Sequence, residues 1–161
     1  MGKLVSLKKL KVELDRLRRK GRKVVFTNGC FDIIHAGHVR YLAKARSLGD
    51  ALVVGLNSDA SVSSIKGEGR PIVPQKERAE VLGALEAVDY IVVFNDPTPE
   101  RLIEAIRPDV LAKGADWAER DIVGADAVKK AGGRVSRITL AKGRSTTNII
   151  EKILALHDPG R

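Results

Sequence analysis

The chain has 161 residues, room for one domain, and 43% apolar with 30% charged residues describes a globular chain rather than a disordered one. No apolar run reaches the roughly 18 residues needed to cross a bilayer, the start Met1-Gly-Lys-Leu-Val-Ser lacks the apolar stretch of a signal peptide, and one cysteine cannot form an internal disulfide, so a cytoplasmic setting without membrane insertion is expected. The 29 Lys and Arg against 20 Asp and Glu leave +9, which points to an anionic partner.

That excess is local. Residues 1–23 hold ten Lys/Arg and two acids, whereas residues 24–161 hold nineteen and eighteen. Leu7, Leu10, Leu14 and Leu17 share one helical face, which predicts a basic amphipathic helix over residues 1–22, docked by its leucines with its charges in solvent. The remaining domain, residues 23–158, alternates regularly. A strand is predicted over Lys23–Thr27, a helix over His38–Leu48 with Gly49 at C′, and a strand over Ala51–Leu56. Residues 66–74, with two Gly and two Pro, read as a loop. Next come a helix over Gln75–Leu85, a strand over Tyr90–Phe94, and a helix capped by Thr98 with Pro99 at N1, running to Ile106 before Pro108. A strand over Asp109–Lys113, a helix over Val123–Ala131, a strand over Arg134–Ile138 and a helix over Ser145–Leu156 complete the chain. Continuous Val/Ile/Leu strands separated by helices predict an α/β fold: one Rossmann-like doubly wound domain with a five-stranded parallel sheet and helices on both faces. Ligands of such sheets bind at the carboxyl ends of the strands.

The densest chemistry, Thr27-Asn-Gly-Cys-Phe-Asp-Ile-Ile-His-Ala-Gly-His38, follows the first strand and opens the first helix of the domain. It has neither the glycine pattern of a dinucleotide site nor a P-loop; the later Lys142-Gly-Arg-Ser145 lacks the first P-loop glycine and has Arg in place of Lys. It carries two imidazoles, His35 and His38, with Gly37 between them allowing close backbone approach. Three readings are open: core histidines, a metal pair with Cys30 as third ligand, and phosphate contact through ring and helix N–H donors, which two histidines at a strand-to-helix turn favour. Lys113 and Gly114 end a strand on the ligand-binding edge, and Asp116 beyond them reads either as a sugar-hydroxyl acceptor or as a turn carboxylate. Ser145, Thr146 and Thr147 open the last helix, where one hydroxyl caps and the others suit a phosphate or nucleotide. By composition alone Lys66, Arg70 and Arg78 are solvated charges, Asp32 and Asp59 are turn carboxylates, and Cys30 is a small buried filler.

The H-x-G-H after Asn28-Gly-Cys-Phe-Asp32 resembles the nucleotidyltransferase superfamily of cytidylyltransferases and adenylyltransferases. Asn57-Ser-Asp59, Lys66-Gly-Glu-Gly-Arg70-Pro, Arg78, Lys113-Gly-Ala-Asp116-Trp and Ser145-Thr-Thr147 fall where that family has them, over about residues 22–155. The chain is most similar to the adenylyltransferase domain of the ADP-heptose synthase family, on Asn28-Gly-Cys-Phe-Asp-Ile-Ile-His-Ala-Gly-His38, Leu82-Gly-Ala-Leu-Glu-Ala-Val-Asp89, Lys113-Gly and Ser145-Thr-Thr-Asn-Ile-Ile150. Glycerol-phosphate cytidylyltransferases differ: they carry Trp where this chain has Ala36, and Arg where it has Leu140.

The resemblance implies transfer of the adenylyl group of ATP to a heptose 1-phosphate, with pyrophosphate released, in lipopolysaccharide core precursor synthesis. It implies His35, His38, Lys66 and Arg78 as catalytic. Asn28, Gly29, Phe31, Gly37, Lys113, Gly114, Ser145, Thr146 and Thr147 would meet the nucleotide, and Asn57, Asp59, Arg70 and Asp116 the other substrate. Mg²⁺ is expected to arrive with ATP rather than on a protein site. A homodimer, and a separate kinase acting upstream, are expected on resemblance alone, since bifunctional members carry a sugar-kinase domain ahead of this one. Two alternatives stand: a cytidylyltransferase for glycerol 3-phosphate or a similar alcohol phosphate, and a non-catalytic nucleotide or nucleic-acid binding module. Against nucleic acid, residues 1–23 contain none of the six aromatics that would stack bases.

Overall fold

A computed structural model of the chain describes residues 2–139 and 145–157; Leu140 and residues 142–144 lie outside that range. In chain order the elements are β1 (Lys3–Leu4), α1 (Leu7–Arg19), β2 (Val24–Gly29), α2 (Ala36–Arg46), β3 (Ala51–Asn57), α3 (Asp59–Lys66), α4 (Gln75–Ala84), β4 (Tyr90–Phe94), α5 (Glu100–Ile106), β5 (Val110–Gly114), α6 (Ala125–Lys130), β6 (Arg134–Ile138) and α7 (Thr146–Leu156). A 3₁₀ turn, Glu119–Asp121, precedes α6.

The strands form one sheet in the order β1-β4-β3-β2-β5-β6, and every pairing is parallel. This is the doubly wound α/β arrangement, with six strands rather than five. The additional strand is β1, whose Lys3 and Leu4 pair with Tyr90 and Ile91 on the edge. Two residues are too short for an alternating pattern, so only tertiary hydrogen bonds reveal it: Lys3 N–H donates to the Asp89 carbonyl and Val5 N–H to that of Ile91, each at 2.9 Å. The basic helix is shorter than residues 1–22, and it docks as its leucines require. Leu10 and Leu14 are fully buried, with Leu7 and Leu17 packed against the same cluster.

Alternate strand residues feed two apolar layers, because side chains along a strand point to opposite faces. Val24, Phe26 and Val53 meet α1, α5 and α6 on one face; Val25, Leu52 and Val54 meet α2 and α4 on the other. Arg18 of α1 donates to the carbonyls of Ile106 and Arg107, satisfying the C-terminal end of α5.

Local chemistry moves several boundaries. The N-cap of α5 is Pro99, with no side-chain cap bond, and Thr98 lies one residue outside. The cap of α2 is Ser47, so Gly49 is not at C′. Gly49 is instead needed for close approach, since a Cβ there would stand 2.7 Å from Val25 Cγ2 and 2.9 Å from the Lys23 carbonyl. The helix α3, absent from the sequence reading, starts on Ser58, whose side chain accepts from the Ser61 N–H at 3.1 Å.

The order reverses at β2. From it the chain steps outward through β3 to β4, then returns to β5 on the other flank. The carboxyl ends of β2 and β5, at Gly29 and Gly114, therefore flank the crevice where a doubly wound sheet takes its ligand.

Candidate active site

Asn28 and Lys113 stand at that crevice, one on each flanking strand, and the Lys113 ammonium donates to Asn28 Oδ1. Burial pulls the Lys113 pKa down to about 8, so it remains mainly a cation at neutral pH. Beyond Gly29 the chain turns sharply. Phe31 takes a left-handed backbone, with φ +46°, unusual for a bulky side chain and characteristic of a strained functional loop. The turn folds its ring back over Gly29, where a Cβ would come within 3.0 Å of it, and under His38, at 5.4 Å between centroids.

His35 is the N-cap of α2 and His38 its third residue, so both rings stand at the helix start. Their centroids are 4.0 Å apart with planes 29° from parallel. His35 Nδ1 accepts from the Gly37 N–H at 3.1 Å, and His38 Nδ1 accepts from the His35 N–H at 3.4 Å. A neutral ring that accepts through Nδ1 carries its proton on Nε2, which is the state of His38. Burial, together with the neighbouring His35, pulls the His38 pKa down to about 4 and keeps it neutral. The N-terminal end of α2 adds the positive end of a helix dipole to the same place.

The last helix closes the other side. Thr146 Oγ1 donates to the Ile33 carbonyl at 3.2 Å, fixing the start of α7 against the loop before His35. Ser145 caps α7 by accepting from the Asn148 N–H at 3.0 Å, and Thr147 is exposed. One set of contacts thus joins Gly29, Phe31, His35, Gly37 and His38, another joins Asn28 to Lys113, and Thr146 ties the start of α7 to the loop before His35; Gly114, Ser145 and Thr147 are chain neighbours of these. Asp116 is exposed beyond β5, close enough to Tyr41 for its charge to help push the Tyr41 hydroxyl up to about 12, chiefly an effect of burial.

Other candidates are differently placed. Arg78 is buried: its guanidinium donates to the Val73 carbonyl at 2.9 Å, to Asp59 Oδ1 at 2.8 Å and to the Cys30 carbonyl. Asn57 is buried and donates to Ser61 Oγ at 3.0 Å. Lys66 ends α3 and is exposed, while Arg70 pairs with Asp32 at 2.7 Å. Lys66, Arg78 and Arg70 all act on the Cys30 thiol, whose pKa burial nevertheless raises. Three cations thus converge on the loop after β2. Among the described residues, no three His, Cys, Asp or Glu side chains converge as a metal-ligand set.

The sequence reads Asp32 as a turn carboxylate, but not what it holds. Its side chain is nearly fully buried and accepts from Arg70 Nε, from the Ile72 N–H at 2.9 Å and from the Val73 N–H at 2.8 Å. Its place two residues after Cys30 in the first-strand loop was the only available signal, and a lone turn aspartate is too common to read.

The cytidylyltransferase-like family model matches residues 26–152, from within β2 to α7 and across every element of the site. The chain belongs to the cytidylyltransferase-like family. It is, by that membership, a nucleotidyltransferase. Among curated relatives it is 57% identical over 143 residues to the bifunctional protein HldE of Syntrophotalea carbinolica, covering 89% of this chain and 29% of the relative. It is 53% identical over 153 residues to HldE of Geobacter metallireducens, covering 95% and 31%. The chain thus spans under a third of the length of these relatives. A solved structure of the lipopolysaccharide core biosynthesis protein from Thermoplasma volcanium superposes with a TM-score of 0.61 at 28% identity, over 77% of this chain and all of that one.

Proposed function

We propose that this chain is an adenylyltransferase that joins a sugar 1-phosphate, a heptose 1-phosphate on its similarity to the HldE proteins, to the α-phosphorus of ATP. The products are an ADP-sugar and pyrophosphate. The observation that carries this reading is the pair of stacked imidazoles, His35 and His38, at the start of α2, whose ring nitrogens are set by the backbone N–H groups they accept from.

The chemistry asks for this kind of site. A phosphate monoester has a second pKa of about 6, so the nucleophile is already largely dianionic at pH 7 and needs no general base. An oxygen of the sugar phosphate forms a bond to Pα while the bond from Pα to the bridging oxygen of pyrophosphate breaks. Negative charge accumulates on the bridging and leaving oxygens, and the protein's task is alignment and charge stabilisation. His35 and His38 donate hydrogen bonds to those oxygens without giving up a proton. Lys113, held by Asn28, contributes a cation at the switch point. Ser145 and Thr147, at the start of α7, meet the β- and γ-phosphates, and Lys66 and Arg70 reach the phosphates from the α3–α4 connection. Asp116 accepts from a sugar hydroxyl. Mg²⁺ enters as part of the MgATP substrate and balances polyphosphate charge. Arg78, Asp59 and Asn57 act from behind, by fixing α3 and the loops around it. The setting is the cytoplasm, where ATP and sugar phosphates are available. A kinase activity supplies the sugar 1-phosphate.

A pyrophosphate-release screen crossing ATP and CTP with heptose 1-phosphate and glycerol 3-phosphate tests this reading. Release is expected with ATP and heptose 1-phosphate. Release only with CTP and glycerol 3-phosphate would place the chain with the cytidylyltransferases, and no release in any pairing would leave a binding module. In the active pairing, His38→Ala is expected to lower turnover about 10²- to 10³-fold, the usual cost of one oxyanion donor, with circular dichroism unchanged. Near-normal turnover would contradict the role of His38.

A further inference from the structure

We propose that Asp32 is a positioning residue for nucleotidyl transfer: it clasps the far end of the segment carrying Lys66 and Arg70, leaving only Glu68 and Gly69 free to pivot. This rests on the functional reading above. The segment begins at the end of α3 and returns to α4. Its near end is fixed, because Asp59 at the start of α3 accepts from Arg78 at 2.8 Å. Its far end is fixed by Asp32, which takes the N–H groups of Ile72 and Val73 and the Nε–H of Arg70 in one buried carboxylate. Burial alone would raise the pKa of that carboxyl. The Val73 and Ile72 N–H groups and Arg70 outweigh it, and the pKa lies below the ordinary value.

Arg78 doubles the clasp. It donates to the carbonyl of Val73, next to the N–H that Asp32 holds, and to the carbonyl of Cys30, two residues before Asp32. The backbone of the α3–α4 connection and that of the loop leading to His35 are therefore bonded to one pair of charged side chains. Between the fixed ends lie Gly67, with φ +92°, and Gly69, with φ +81°. A Cβ on either would meet nothing within 4 Å, and their positive φ suits glycine; the Gly67 N–H still closes α3 by donating to the Ser63 carbonyl at 2.9 Å. The sequence reading of residues 66–74 as one flexible loop is thereby narrowed. The pivot is Glu68 and Gly69, and Arg70 rides on its anchored side. An arm anchored in this way costs less to order when the transition state forms than a wholly loose loop would, and the benefit falls on turnover rather than on ATP binding.

The test combines residue-resolved hydrogen–deuterium exchange of the ligand-free protein with steady-state kinetics, on the wild type, Asp32→Asn and Asp32→Ala. In the wild type the amides of Ile72 and Val73 are expected to exchange slowly and those of Glu68 and Gly69 fast. In Asp32→Ala the two protected amides are expected to accelerate by roughly tenfold or more, the scale for losing a hydrogen bond to a charged group. The kcat is expected to fall by a similar or larger factor while KM for ATP changes little. Asp32→Asn keeps the volume and one acceptor oxygen and is expected to fall between; it also serves if the alanine variant does not fold. A kcat per folded molecule that is unchanged in Asp32→Asn, despite faster amides, would overturn the proposal, as would fast exchange of both amides in the wild type. A wild type that transfers no nucleotidyl group would overturn the functional reading itself. Normal transfer with unprotected amides would overturn only the clasp.

Discussion

Each charged group at the site is held in a particular protonation state by its surroundings. His38 donates through Nε2 only while its Nδ1 accepts, and its low pKa preserves that state across the neutral range. The linkage has a definite sign. The folded pKa of about 4 lies below the ordinary histidine value of 6.5, so protons bind the unfolded chain first. Stability is complete above about 6.5 and is lost as pH falls toward 4. Thermal unfolding followed from pH 7.5 to 4.5 is expected to show a falling Tm, and His38→Asn is expected to flatten part of that fall; identical slopes in both proteins would contradict the burial assigned to His38. Lys113 sets the opposite limit. Its cation is lost as pH rises through about 8, so kcat/KM is expected to decline there. Lys113→Arg, which stays charged, is expected to move that limb upward at some cost in fit to Asn28. An alkaline limb that does not move would remove Lys113 from the phosphate contacts. At this scale the sequence was partly legible. The paired histidines announce themselves by spacing at a strand-to-helix turn. The Lys113–Asn28 contact joins positions 85 apart, and no local pattern encodes it.

Among the elements, those with strong periodicity or continuous apolar runs were legible, and the ones read poorly have physical reasons. The two-residue β1 has no pattern to show. The helix α3 has three Ser with Val62 and Ile65, weak helix formers, and depends on its Ser58 cap and on burial of Val62. Pro99 supplies the start of α5 without a side-chain cap, leaving Thr98 outside. The helix α1 was legible as amphipathic, but its integration was not: Leu10 and Leu14 sit in the same cluster as Phe26, Leu102 and Ile106. Leu14→Ala is expected to cost about 2–5 kcal/mol of stability, measured by denaturant unfolding, the range for a leucine deleted from a close-packed core. A change below about 0.5 kcal/mol, typical of surface positions, would mean that α1 does not share the core.

For the molecule as a whole, the +9 charge divides into two parts with different consequences. Most of the surplus lies in residues 1–23, where the Lys and Arg of α1 are exposed, while residues 24–161 are nearly balanced. In the proposed function the positive charge that meets substrate comes from Lys113, the α2 terminus and the Lys66–Arg70 segment. Binding of the substrates is therefore expected to follow local charge rather than net charge. No described helix is long and apolar enough to cross a membrane. The central claim is that this crevice aligns a sugar phosphate with the α-phosphorus of ATP, and isotope tracing addresses it most directly. With heptose 1-phosphate as acceptor, label from [α-³²P]ATP is expected in the sugar nucleotide, and label from [γ-³²P]ATP only in pyrophosphate. Transfer of the γ-label to the sugar, or retention of the α-label in unreacted ATP, would contradict the account.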